Sequence, residues 1–260
     1  MFNLKFYLFK VLIPFFILAL FLTNCAKDNI TNSVNNPNAG EPITDIDGNV
    51  YQTINIGDQL WMAENLKVTH YRNGDAITHI TDNKQWANDI DWGIDSKSGK
   101  YCSYENNDTY VSTYGRMYNW YAANDNRGLA PEGWHLPTDE EWKELEMYLG
   151  MSQADVDDSS WRGTDEGSKL KSTVGWNNHF DGTSGNGTNE SGFSALPGGR
   201  RIATGDFGEL GNYAYYFSAT NAPNIDDSET TWNREIYYGE RISRGYVYKM
   251  LGMSVRCIKD

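Results

Sequence analysis

The pattern of apolar and polar positions divides this chain into three stretches of different character. Val11 to Leu22 is almost unbroken apolar sequence behind Lys5 and Lys10. About twelve residues of helix span roughly 18 Å, short of the ~30 Å hydrocarbon core of a bilayer. The run therefore has the length of an export signal and not of a membrane span. Residues 25–42 are rich in Asn, Ser, Thr, Pro and Gly with few apolar positions, so they read as a flexible tether. From residue 43 to Asp260 apolar positions recur with no linker, charge block or internal repeat. The organisation predicted is a signal segment over 1–24, a tether over 25–42 and one domain over 43–260.

Within the domain, Asp47-Gly48 between apolar segments signals a short hairpin, followed by a loose period-two strand through Val50, Gln52, Ile54 and Ile56. Two helices are predicted. Thr138 with Glu141 three residues on is a capping box, Trp142, Leu145 and Leu149 share one face, and Gly150 stands where a left-handed cap belongs. Tyr114 to Asn124 places Met117, Trp120, Tyr121 and Asn124 on a second face. Shorter helical turns are expected at Asp82–Asn88 and Gly167–Lys171. After Asn177 short strands recur, at Phe193–Leu196, Arg201–Ala203, Tyr215–Ala219, Trp232–Tyr238, Tyr246–Met250 and Ser254–Ile258. Helices early and many short strands late define an α+β class with long loops.

Composition narrows the function. The chain carries 22 Lys+Arg against 35 Asp+Glu, a net charge of -13. That balance disfavours a nucleic-acid partner, which needs clustered cations against phosphates. Removing residues 1–24 takes away two lysines and most of the phenylalanines, leaving a domain whose rings are mainly Tyr and Trp. Leu22-Thr23-Asn24-Cys25 resembles a bacterial lipoprotein box, with Cys25 as the lipidated residue and the membrane as partner through that lipid. Cys25-Ala26-Lys27-Asp28-Asn29 is similar to the short tag of surface-directed lipoproteins, which implies the outer membrane or cell surface. With Cys25 acylated, Cys102 and Cys257 remain as an even pair in an oxidising compartment. They are expected either as a disulfide, closing a loop of about 155 residues, or as two buried thiols.

Catalytic signatures are missing where their chemistry would demand them. Gly93 to Lys100 has the wrong spacing for a phosphate loop, and no His pair stands at a helical i, i+4 spacing. Glu140 and Glu141 diverge on a helix and serve capping better than acid–base work. His135, without a partner in sequence, reads as a packed or hydrogen-bonded histidine. With four His and three Cys, no metal set or cofactor is implied. The Gly182–Gly192 loop offers Asn186, Asn189 and Glu190 as oxygen donors for a hard cation or sugar hydroxyls, and Trp232 as a stacking ring.

Five ordered segments carry a family resemblance. They are Gly57 to Lys67, Tyr114 to Ala122, Pro131 to Thr138, Thr188 to Arg200 and Ser254 to Asp260. Together they resemble the Fibrobacter succinogenes major paralogous domain over about residues 44–260, a family similar to the C-type-lectin-like, sulfatase-modifying-factor-like superfamily. The resemblance implies a single compact C-type-lectin-like α+β domain with two main helices, small antiparallel sheets and long loops, in secreted proteins and lipoproteins. It does not bring that superfamily's enzymes with it, because the paired-cysteine and His-triad arrangements are not matched. The lectin calcium motif is broken too, since Trp232-Asn233 is followed by Arg234. The expected function is a non-catalytic binding or adhesion module for glycan or a cell-surface protein, with Asn186, Asn189, Glu190 and Trp232 as candidate ligand-binding residues. An enzyme whose site is assembled from distant residues, or a structural envelope component, are the alternatives.

Overall fold

The computed structural model describes residues 36–87, 97–223 and 229–260. The signal segment, Cys25 and most of the tether lie outside them. Ordered structure already includes residues ahead of 43, because strand β1 (Ala39–Thr44) pairs with β2 (Val50–Ile56) through the predicted hairpin. Asp45 closes that hairpin by accepting the backbone N–H of Asp47 and of Asn49, both at 2.9 Å.

The remaining strands, in chain order, are β3 (Gln59–Met62), β4 (Thr78–His79), β5 (Lys100–Cys102), β6 (Met117–Tyr118), β7 (Trp134–His135) and β8 (Ser160–Arg162). There follow β9 (Arg200–Arg201), β10 (Phe207–Gly208), β11 (Tyr213–Asn221), β12 (Thr230–Tyr237), β13 (Ile242–Tyr248), β14 (Met253–Ser254) and β15 (Ile258–Lys259). Among the described residues they form a five-stranded sheet ordered β1-β2-β3-β15-β7, an eight-stranded sheet ordered β4-β5-β6-β14-β11-β12-β13-β8, and the β9–β10 pair. The architecture is α+β with several small or irregular sheets and few helices. Among the described residues no helix is long and apolar enough to cross a membrane.

Strand β2 departs from simple alternation. Tyr51 and Thr53 are buried in its first half, Ile54 and Ile56 in its second. Tyr51 packs into one apolar cluster and the two isoleucines into another, so the strand is covered on both sides in turn.

The ten-residue helix Asp139–Tyr148 forms as its capping box dictates, with Thr138 accepting from the Glu141 N–H and Gly150 at φ 117°. It packs Trp142 and Leu145 against Tyr216, Ile236 and Ile242 of the large sheet. The second predicted helix is mostly absent. Gly115 adopts φ 74° and ends a short helix at Tyr114, Met117 and Tyr118 pair as β6 between β5 and β14, and helix resumes only over Trp120–Ala123, capped by Asn119. Pairing on both edges satisfies the backbone of Met117–Tyr118 and overrides the helical spacing. Phe193–Leu196 is likewise not a strand and keeps a single bridge, Lys171 with Ala195.

The disulfide alternative is overturned. Cys102 and Cys257 are free and buried, and they belong to different apolar clusters. Cys102 pairs with Met117, which pairs on its other side with Ser254, three residues before Cys257. Strand β6 therefore separates Cys102 from Ser254, in the strand that leads towards Cys257. Burial pushes the Cys102 thiol up to about 11 and the Cys257 thiol up to about 12, which keeps both unreactive.

Candidate ligand-binding face

The large sheet has two unlike faces because β11, β12 and β13 alternate side chains in register. One face carries Tyr216, Arg234, Ile236 and Arg244 and is covered by the ten-residue helix. Beneath it Arg234 binds Asp139 at 2.7 Å and Glu146 at 2.6 Å, Arg162 binds Glu146 at 2.5 Å, and Arg244 binds Asp139 at 2.6 Å. Burial raises the Asp139 carboxyl, but the hydrogen bonds and charges of Arg244 and Arg234 outweigh it and hold the group low.

The opposite face is a run of rings. Register places Tyr213 opposite Tyr237, and Tyr215 opposite Glu235, which in turn faces Ser243, itself opposite Trp161. Trp161 and Tyr237 rings lie 4.5 Å apart, Tyr213 and Tyr215 stack at 5.5 Å, and Tyr213 lies 6.3 Å from Tyr237. The series continues through Tyr238, 5.3 Å from Tyr237, to His179, 4.8 Å from Tyr238. Tyr237 reaches this position because residue 239 is glycine: a Cβ there would stand 2.0 Å from the tyrosine ring. Trp161, Tyr213 and Tyr237 are half-buried, so each fixed ring keeps an accessible surface.

At the Tyr237–Tyr238 end the rings open into a cavity of about 450 Å³, lined also by His179, Asp181, Asn186 and Glu240. Its wall is held by Lys171, a 2% exposed cation whose Nζ donates to the carbonyls of Gly185, Tyr238 and Gly239 at 2.7–2.8 Å. Burial pushes the Lys171 ammonium down to about 8, and three carbonyl acceptors keep its proton at neutral pH. Beside the cavity the turn His179–Thr183 is closed by Gly182 N–H to His179 C=O at 2.9 Å and leaves Phe180 fully exposed.

The four residues singled out in the sequence are not brought together. Asn186 lines the cavity, with its Oδ1 accepting from Trp176 N–H at 3.0 Å. Asn189 has φ 54° and closes its own loop on Ser194 by two hydrogen bonds at 2.8 Å, while Glu190 is exposed beside it. Trp232 lies on the helix-covered side of the sheet with Arg244 stacked 3.7 Å above its ring. The ring cluster on the other face is made of residues that no motif had marked, namely Trp161, Tyr213, Tyr237 and Tyr238. Their signal is present in the sequence as Tyr213-x-Tyr215 and Glu235-x-Tyr237, each pair on one face of a strand.

His135 is hydrogen-bonded, as its isolation in the sequence suggested. Its Nε2 meets Glu141 at 2.9 Å and its Nδ1 meets Asp260 at 2.7 Å. The Glu141 hydrogen bond raises its pKa to about 9, against opposing desolvation and with help from Asp260. Because the folded value lies above the ordinary ~6.5, this contribution is complete below about pH 6.5 and is lost as pH rises through about 9. The melting-temperature gap between wild type and His135→Gln should be constant between about pH 5 and 6, where Glu141 and Asp260 are still ionised, and vanish by about pH 10. With the imidazole 37% exposed, the gap corresponds to about 1 kcal/mol or less. A gap that widens with pH would contradict the assignment.

The chain is thus a loop-rich α+β domain with a ring-lined sheet face. Residues 54–259 match the Fibrobacter succinogenes major domain, and the chain belongs to that family. No curated protein and no solved structure matches it.

Proposed function

We propose that this protein is a non-catalytic binding module for a neutral or weakly cationic glycan, taken up along the Trp161–Tyr213–Tyr237–Tyr238 face and the adjoining cavity. The observation that carries this reading is the continuity of rigid, half-exposed rings with a cavity of mixed polarity. Ring faces stack on the apolar face of a sugar, while His179, Asp181 and Glu240 offer hydrogen bonds to its hydroxyls. A net charge of -13 disfavours acidic polysaccharides. A C-type-lectin-like ancestry is consistent with a binding face of this kind. In the same reading Cys25 carries a lipid that holds the domain at the outer membrane or cell surface. Labelled fatty acid should enter the wild-type protein and not Cys25→Ser, and no incorporation into the wild type would remove the anchor.

The test of the face begins with a glycan array to find a binder. Tyr237→Ala and Tyr238→Ala should then each weaken that binder at least about tenfold, as expected for an aromatic anchor. Trp232→Ala, on the other side of the sheet, should leave affinity within about twofold. Unchanged affinity in stably folded Tyr237→Ala and Tyr238→Ala proteins would discard this face.

A further inference from the structure

Glu235 stands in the middle of the ring-lined face in unusual company. Tyr215 and Ser243 flank it across the strands, and Asn233 and Tyr237 flank it along its own strand. Trp161 is carried opposite Ser243, and its ring meets that of Tyr237. Among the described residues Glu235 forms no ion pair. Its one side-chain hydrogen bond there is a long one, 3.3 Å from Asn233 Nδ2. Burial raises its carboxyl above the usual carboxylate range, against the lowering effects of Asn233 and Arg200. The nearby Arg200 is committed elsewhere, at 2.8 Å from Glu209 and stacked 4.5 Å over Tyr215.

A second observation is independent of the carboxylate. Asn233 is 0% exposed, and its Oδ1 has no hydrogen-bond partner. That oxygen faces residue 245 of the neighbouring strand. Residue 245 is glycine, and a Cβ there would approach Oδ1 to 3.2 Å and Ser243 Oγ to 4.0 Å. An unmatched buried acceptor costs about 1–3 kcal/mol, so a fold retains one where something donates to it. The patch therefore offers three acceptors: a carboxylate without an ion pair, an amide oxygen without a donor, and a serine hydroxyl that can also donate. Around them stand π-faces of Trp161, Tyr213 and Tyr237.

We propose that this patch is a subsite for a primary ammonium group, and that the ligand of the face carries an amine on its sugar ring. An ammonium supplies the three N–H donors that the acceptors lack, places its charge against Glu235, and is attracted by the electron-rich ring faces. A neutral hydroxyl could occupy the same volume but would leave the carboxylate without a counter-charge. The net charge of -13 draws cations to the surface as a whole. This inference rests on the glycan reading for the sugar part of the ligand, but not for its ammonium.

The experiment uses the purified protein and three probes, glucose, glucosamine and n-butylammonium, followed by calorimetric titration or ligand-observed NMR. Glucosamine should bind about tenfold more tightly than glucose, and n-butylammonium should bind on its own and compete with glucosamine. Glu235→Gln, which preserves shape, should bring glucosamine to within about twofold of glucose, with the melting temperature as the check that the variant is folded. Trp161→Ala should weaken n-butylammonium as well. If glucosamine binds no better than glucose, or if Glu235→Gln keeps the preference, the ammonium subsite is overturned and the glycan reading stands. If n-butylammonium binds in a Glu235-dependent way while glucosamine has no advantage from its ring, the subsite stands and the glycan reading falls. If no probe binds, both are overturned.

Discussion

Replacing Glu146 with leucine should destabilise the domain by about 3–5 kcal/mol, the range found when one member of a buried ionic group is removed. Glu146 is 0% exposed and is the acceptor for both Arg162 and Arg234. Without it the three guanidiniums of Arg162, Arg234 and Arg244 share the single carboxylate of Asp139 beneath the ten-residue helix. At about 2–4 °C per kcal/mol for a domain of this size, the melting temperature should fall by roughly 10 °C. Glu140 lies on the same helix with an 80% exposed side chain, and Glu140→Ala should stay within about 0.5 kcal/mol of wild type. Equal effects from the two substitutions would show that the buried group does not hold the helix to the sheet. The ring-lined face is on the other side of that sheet, so a loosened helix should also weaken ligand binding in proportion to the population that unfolds.

The second large effect is expected from Arg256→Met. Arg256 is 1% exposed and, among the described residues, forms no ion pair. Instead its Nη1 donates to the carbonyls of Met62, at 3.1 Å, and Phe193, and its Nε donates to Asn65 Oδ1 at 3.0 Å. The methionine fills much of the same volume but leaves these buried acceptors unmatched, at about 1–3 kcal/mol each. A loss of about 3 kcal/mol or more in urea unfolding is expected. Arg256→Lys should recover little of it, because one ammonium cannot reproduce the planar fork. If Arg256→Met unfolds at the wild-type urea concentration, the carbonyls are satisfied by other means.

Arg256 is one of several cations used in this way. Arg201, 0% exposed, donates to the carbonyls of Ile80 and Gly205 and to Asn83 Oδ1, and Lys171 donates to three carbonyls beside the cavity. The physical reason lies in the loops. Long irregular segments bury backbone oxygens that no helix or sheet ladder can match, and each must still find a donor. A guanidinium or ammonium on a neighbouring segment supplies several donors at one point and ties loops together there. Lys171 does this for the loop around Gly185 and for the Tyr238–Gly239 turn. It thereby links the stability of the domain to the shape of the ring-lined face.

Local chemistry decided a definite part of this protein from the sequence alone. The Asp45–Asn49 hairpin and the helix opened by Thr138 and Glu141 involve partners within a few residues, so side-chain capping and turn chemistry sufficed to place them. The ordered motif series was likewise enough to mark the family, since it needs only residue order and spacing. Tertiary structure decided the rest wherever a residue's role depends on a distant strand. Met117–Tyr118 became strand and not helix because β5 and β14 stand on either side of it. Cys102 and Cys257 stay free because each is buried in a different apolar cluster. Trp232 and Tyr237 belong to the same strand, yet alternation sends the first under Arg244 and the second to the ring-lined face. Which side of a strand meets water is fixed by what packs on it, and here the helix beginning at Asp139 covers one side and leaves the rings of the other in place.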